Sequence, residues 1–111
     1  MKTVLTKIFD FSASHSQDQK VFGHNYRLSV TVEDPDGSVE ALIQPRVEST
    51  LIRHLHSRDL TQHVDFLKGM PITGPDLLRV FWPRVEDACR PARLLRLRLE
   101  RDKSVLWTLE P

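Results

Sequence analysis

Apolar and polar residues alternate along two stretches near the N-terminus. Residues 3–12 are rich in β-branched and aromatic side chains and predict a strand. Residues 21–33 predict a second strand, with Tyr26, Leu28, Val30 and Val32 on one face. Asp34-Pro35-Asp36-Gly37 then marks a turn. After it the apolar period changes from two to four. Ile43, Val47, Leu51 and Leu55 form a stripe that Ile52 widens, predicting a helix from about Pro45 to His56 with Pro45 in its first turn. Residues 58–74 are polar and irregular apart from Val64, Phe66 and Leu67. A second helix is predicted from near Pro75, capped by Thr73 or Gly74, with the stripe Leu77, Leu78, Phe81, Val85 and Ala88. Pro83 falls inside it and is expected to kink or split it. Finally Leu95, Leu97 and Leu99 alternate with Arg96, Arg98 and Glu100, and Arg101-Asp102-Lys103 turns the chain into a last strand over residues 105–109.

The order is strand, strand, helix, helix, strand, strand. Each strand pair is joined closely enough to be antiparallel. The expected fold class is therefore α+β, a four-stranded antiparallel sheet with two helices on one face. No repeat or linker interrupts the 111 residues, so one domain, residues 1–111, is expected. Four strands leave open edges, which invite pairing with another subunit.

Composition narrows the function classes. With 40% hydrophobic and 28% charged residues the chain has the means to form a core. A net charge of +1 gives no field suited to nucleic acid or an anionic membrane. No apolar run approaches the roughly 20 residues of a membrane span, and the N-terminus lacks the apolar stretch of a signal peptide. The single cysteine, Cys89, has no partner for an internal disulfide. A cytoplasmic location is expected.

Two histidines stand out. His15 and His24 lie at the edges of the first two strands, so pairing of those strands brings both imidazoles towards one spot. That is the start of a zinc site, but zinc takes at least three protein ligands. Asp18, His54, His56 and His63 are the remaining donors, and spacing selects none of them. His54 and His56 also suit a helix C-terminus, where the dipole favours them. Arg93, Arg96, Arg98 and Arg101 read as a solvated strand face or as partners for interface glutamates, and Trp82 and Trp107 as core or interface residues.

Phe11-Ser12-Ala13-Ser14-His15 followed by Gly23-His24-Asn25-Tyr26 resembles the F-S-A-A-H and H-G-H-N-Y motifs of the 6-pyruvoyl-tetrahydropterin synthase and 6-carboxytetrahydropterin synthase family. Gly37-Ser38-Val39 is similar to the family's G-M-V before its first helix. Ile72-Thr73-Gly74-Pro75-Asp76-Leu77 is similar to its P-T-x-E-N-L before the second. The resemblance spans nearly the whole chain. It implies the T-fold, a homo-oligomer (trimer or hexamer) built as a β-barrel, and lyase activity on 7,8-dihydroneopterin triphosphate. It further implies a zinc held by three histidines, a cysteine base, an Asp-His pair and a glutamate that anchors the pterin ring.

Position by position, parts of that apparatus are missing. His15 and His24 match two zinc histidines, but the first histidine of H-G-H is Phe22. The cysteine position falls on Asp18, and Cys89 lies far along the chain. The Asp-His pair falls at His56-Ser57 within Leu55-His56-Ser57-Arg58-Asp59-Leu60, which resembles L-D-H-x-x-L. The pterin anchor is Glu100 by identity. By strand alternation Arg101 takes its place, unless a one-residue bulge brings Glu100 into phase.

The resulting expectation is a tetrahydropterin synthase-like protein that acts on or binds a pterin. Its metal residues are His15 and His24, its ligand-binding residue Glu100. The zinc site is degenerate and expected to be empty, with zinc-and-cysteine catalysis lost or altered. The alternatives are a non-catalytic pterin- or purine-binding protein and an oligomeric scaffold subunit.

Overall fold

The computed structural model describes Met1–Pro111. Two long strands, β1 (Val4–Gln17) and β2 (Lys20–Glu33), form an antiparallel hairpin. Asp18 and Gln19 make its two-residue turn, both at positive φ (52° and 64°), the backbone that matches the twist of paired strands. This turn fixes a register in which His15 faces Phe22 and Ala13 faces His24.

The strands extend further than their apolar alternation. Leu5, Phe9, Phe11 and Ala13 of β1 and Tyr26, Leu28, Val30 and Val32 of β2 share the face covered by the helices. His15, Phe22 and His24 continue that face towards the hairpin tip.

The first helix runs as α-helix over Glu40–Val47, widens to a π-helical stretch at Glu48–Ile52, and closes with Arg53–Leu55. It begins before Pro45, so Pro45 lies inside it and not in its first turn. Proline offers no N–H and crowds the preceding turn. The helix persists because Ile43, Val47, Leu51, Ile52 and Leu55 are all buried. The predicted stripe is therefore correct although the predicted start is not.

The second helix, Gly74–Cys89, is capped by Thr73, whose Oγ1 accepts the Asp76 N–H at 3.3 Å. Pro83 does not split it: the span is continuous, with Leu77, Leu78, Phe81 and Val85 buried against the sheet. Gly74 is required by contact. A Cβ there would collide with the indole of Trp107 from the last strand.

Strands β4 (Leu94–Arg101) and β5 (Val105–Leu109) complete the sheet through a three-residue turn, Asp102 to Ser104, in which Asp102 and Lys103 are at positive φ. The expected four-stranded antiparallel sheet requires correction. The sheet has five strands in the order β3-β1-β2-β4-β5, because a two-residue strand β3 (Arg58–Asp59) pairs in parallel with Ala13 and Ser14. Two residues are too few to show a period, so the sequence gives β3 no signature. Its anchors are Ser57 N–H to the Ser12 carbonyl at 2.6 Å and Leu60 N–H to the Ser14 carbonyl at 2.7 Å. Beyond them the β1 edge is open towards its start, and β5 is open along its length.

The arginine series does not form one ladder. Arg96 meets Glu110 at 2.7 Å, Arg93 lies 4.0 Å from Glu33, and Arg98 is exposed on the outer sheet face. Arg101 turns to the helix-facing side, its guanidinium 5.1 Å from the Trp107 ring centroid. No helix of the chain is long and apolar enough to cross a membrane.

Candidate functional site

The hairpin register converts two residues distant in the motif pattern into neighbours. His15 and His24 stack with ring centroids 5.2 Å apart and planes 12° from parallel. Phe22 also stacks on His15, at 5.3 Å and 22°. Tyr26 meets His24 edge-on at 5.9 Å and stacks on Phe11 at 5.1 Å. A continuous aromatic row thus runs from the hairpin tip into the core.

His24 has a partner that the sequence did not reveal. Its Nδ1–H donates to Asp102 Oδ2 at 2.6 Å, while Asp102 Oδ1 accepts the Asn25 N–H at 2.8 Å. The carboxylate only accepts, so it fixes the imidazole tautomer and leaves Nε2 as the acceptor. Asp102 stands on the β4–β5 turn, whose N–H also binds the Asn25 carbonyl at 2.7 Å. Backbone donation from Asn25, then the His24 bond, holds the Asp102 carboxyl below the ordinary carboxylate range.

His15 is different. Its Nδ1 is buried and makes no hydrogen bond. Burial first, then the neighbouring His24 and Arg101, pushes its pKa below the usual imidazole value. Both shifts act in the same direction on stability. A histidine with a depressed folded pKa favours the native state above its unfolded value near 6.5 and opposes it as pH falls. A carboxylate with a depressed pKa stabilises above 3.8, and that stability is lost as pH falls through the lower folded value. We therefore expect the melting temperature to drop less between pH 7 and pH 5 in His15→Phe than in wild type. Asp102→Asn should melt below wild type at pH 7, and that gap should close towards pH 3. Parallel pH curves for all three proteins would contradict both assignments.

Zinc requires lone pairs that converge at about 2.0–2.1 Å. The nearly parallel rings of His15 and His24 send theirs side by side, and Phe22 supplies no donor. Of the alternatives, Asp18 sits in the hairpin turn, and His56 Nδ1 accepts the Ser12 N–H at 3.1 Å. His54 and His63 lie beside Phe66, in a separate cavity. No group of three His, Cys, Asp or Glu side chains has metal-holding geometry. The residues present do not fit the metal.

Cys89 does not replace the missing base either. It is buried at the end of the second helix, and burial pushes its thiol up to about 11. A thiol with that pKa is protonated at neutral pH.

Glu100 lies on the opposite sheet face from the histidine pair. The β4 irregularity falls opposite Thr31 and Val32, before Leu97, and not between Leu99 and Glu100. Strand alternation therefore continues through Leu97 and Leu99 to Arg101, which shares the histidines' face, while Glu100 stands across from Arg27. There Glu100 borders an open groove of about 360 Å³ with Asp10, Ser12, Asn25, Arg27 and His56. Asp10 is occupied by Arg27 through bonds of 2.8 and 3.3 Å. Glu100 makes no hydrogen bond or ion pair within the chain.

The helix-on-sheet layout is that of a tetrahydropterin synthase-like T-fold. The chain is similar to a solved 6-pyruvoyl tetrahydropterin synthase from Caenorhabditis elegans, with a TM-score of 0.84, 18% identity, and coverage of 100% of this chain and 96% of that one. At that identity the likeness establishes the fold. No family model matches the sequence, and no curated protein sequence does.

Proposed function

We propose that this protein binds a pterin- or purine-type ring without the zinc-and-cysteine chemistry of the tetrahydropterin synthases. The free carboxylate of Glu100 in its groove carries this reading. A carboxylate accepts two parallel hydrogen bonds from an amino-pyrimidine edge. Arg27 is bonded to Asp10 and, like Lys103, lies near Glu100 without forming an ion pair with it, so the Glu100 oxygens keep their acceptor capacity. The lyase chemistry is absent in this reading because the metal donors do not converge, the third is Phe22, and the only thiol is buried and protonated.

The ring is held at a boundary between copies of the chain. The Glu100 groove opens beside the unpaired part of the β1 edge, and β5 offers the second open edge. Pairing of such edges head to tail closes a ring of subunits, and the expected assembly is a trimer or hexamer.

The test is a fluorescence titration with a reduced or oxidised pterin, alongside light scattering at micromolar concentration. Saturable binding by wild type, weakened about tenfold or more in Glu100→Gln, is expected, because the amide no longer accepts two bonds. Equal binding by both proteins, or none by wild type, overturns the ligand reading. A monomeric mass overturns the assembly.

A further inference from the structure

A second cluster of polar side chains lies away from the histidine pair. Four segments meet around Phe66: the last turn of the first helix brings His54, β3 brings Arg58, the loop after β3 brings His63 and Asp65, and the middle of the second helix brings Arg84. Together with Val64 they line a cavity of about 330 Å³.

The loop is not loosely placed. Val64 and Leu67 are buried, His63 N–H binds the Asp59 carbonyl at 2.9 Å, and Leu67 N–H binds the Val64 carbonyl at 3.0 Å. Asp59 in turn locks the segment to β1. Its Oδ2 accepts the Ser16 hydroxyl at 2.7 Å, and its Oδ1 accepts the Thr61 N–H at 2.9 Å. The cavity wall is therefore set in advance of any ligand, which lowers the cost of binding.

The Arg84 guanidinium carbon sits over the Phe66 ring, 3.8 Å from its centroid, and His54 meets the same ring edge-on at 6.4 Å. The ring contact places the guanidinium while its N–H groups make no bond within the chain. Neither Arg84 nor Arg58 forms an ion pair, whereas Arg79, Arg90 and Arg96 on the same domain each engage a carboxylate. Arg84, held over Phe66, and the exposed Arg58 line the cavity with two imidazoles and one carboxylate, Asp65, which is itself unpaired. An aromatic-backed arginine with free donors beside a second arginine is suited to a tetrahedral, multiply charged anion.

From this arrangement we infer that the cavity around Phe66 is a binding site for a phosphate-bearing small molecule, with Arg84 and Arg58 as its anchors and His54 and His63 as further donors. The site depends on neither Glu100 nor the histidine pair, so it stands or falls separately from pterin binding.

Pyrophosphate is the probe. It should bind saturably in calorimetry at fixed ionic strength and move the backbone amide resonances of residues 54–66 and 84. Arg84→Gln and Arg58→Gln should each weaken it about tenfold or more, while Arg90→Gln should leave it unchanged. Arg58→Gln leaves the Phe66 contact in place and so separates lost binding from lost packing. Amide shifts centred on Arg96 and Arg98 overturn the proposal, and so does affinity that is equal in all four proteins. Failure to saturate at millimolar pyrophosphate overturns it too.

Discussion

Phe22→His is expected to create a protein that binds about one zinc ion per chain, where the wild-type protein carries far less. Position 22 faces His15 across the hairpin, and His24 lies on the same face, so the substitution places three imidazoles together. Phe22 is 41% exposed, which leaves room for a ring of smaller size without repacking the core. His24 is already oriented by Asp102 with Nε2 free, the arrangement that suits a metal-ligating histidine. A four-ligand zinc site gathers roughly 10–16 kcal/mol. One ligand is therefore on the order of 3 kcal/mol, about a hundredfold in affinity. Elemental analysis and chelator competition on both proteins, purified without chelator, provide the measurement. Stoichiometric zinc in wild type would show that some other group completes the site. No gain in the variant would show that the stacked rings cannot turn to converge.

Phe81→Ala should cost about 3–5 kcal/mol of folding stability. Phe81 is completely buried at the centre of the second helix's apolar stripe, between Leu77, Leu78 and Val85. This stripe holds the helix across Pro83, so removal of the ring opens a cavity where the backbone is already deprived of one hydrogen bond. Against a typical domain stability of roughly 5–15 kcal/mol, the loss is large. Urea unfolding monitored by circular dichroism measures it. A loss below about 1.5 kcal/mol would mean that the helix and sheet close over the gap, contrary to the packing described.

Both expectations start from residues whose importance was visible before the fold. Phe22 stood in a motif position that normally holds a donor, and Phe81 sat in a helical stripe. Other parts were hidden for identifiable reasons. Asp102 lies 78 residues from His24, in a turn whose composition signals only a change of direction. Strand β3 has two residues, below the length at which alternation becomes visible. The position of the β4 irregularity, which decides whether Glu100 or Arg101 shares the histidines' face, depends on pairing with β2. The cluster around Phe66 joins four segments that share no local pattern.

The α+β class, the helical stripes, the long hairpin and the motif losses at Phe22 and Asp18 were legible in the linear chain. Each rests on residue identity or on a period of two or four, which a linear chain displays. Tertiary structure alone decided that the two histidines stack in place of converging, that His24 is tied to Asp102, and that Glu100 faces away from both. These depend on register, turn geometry and ring orientation, which are set when distant segments pack and the backbone satisfies its hydrogen bonds.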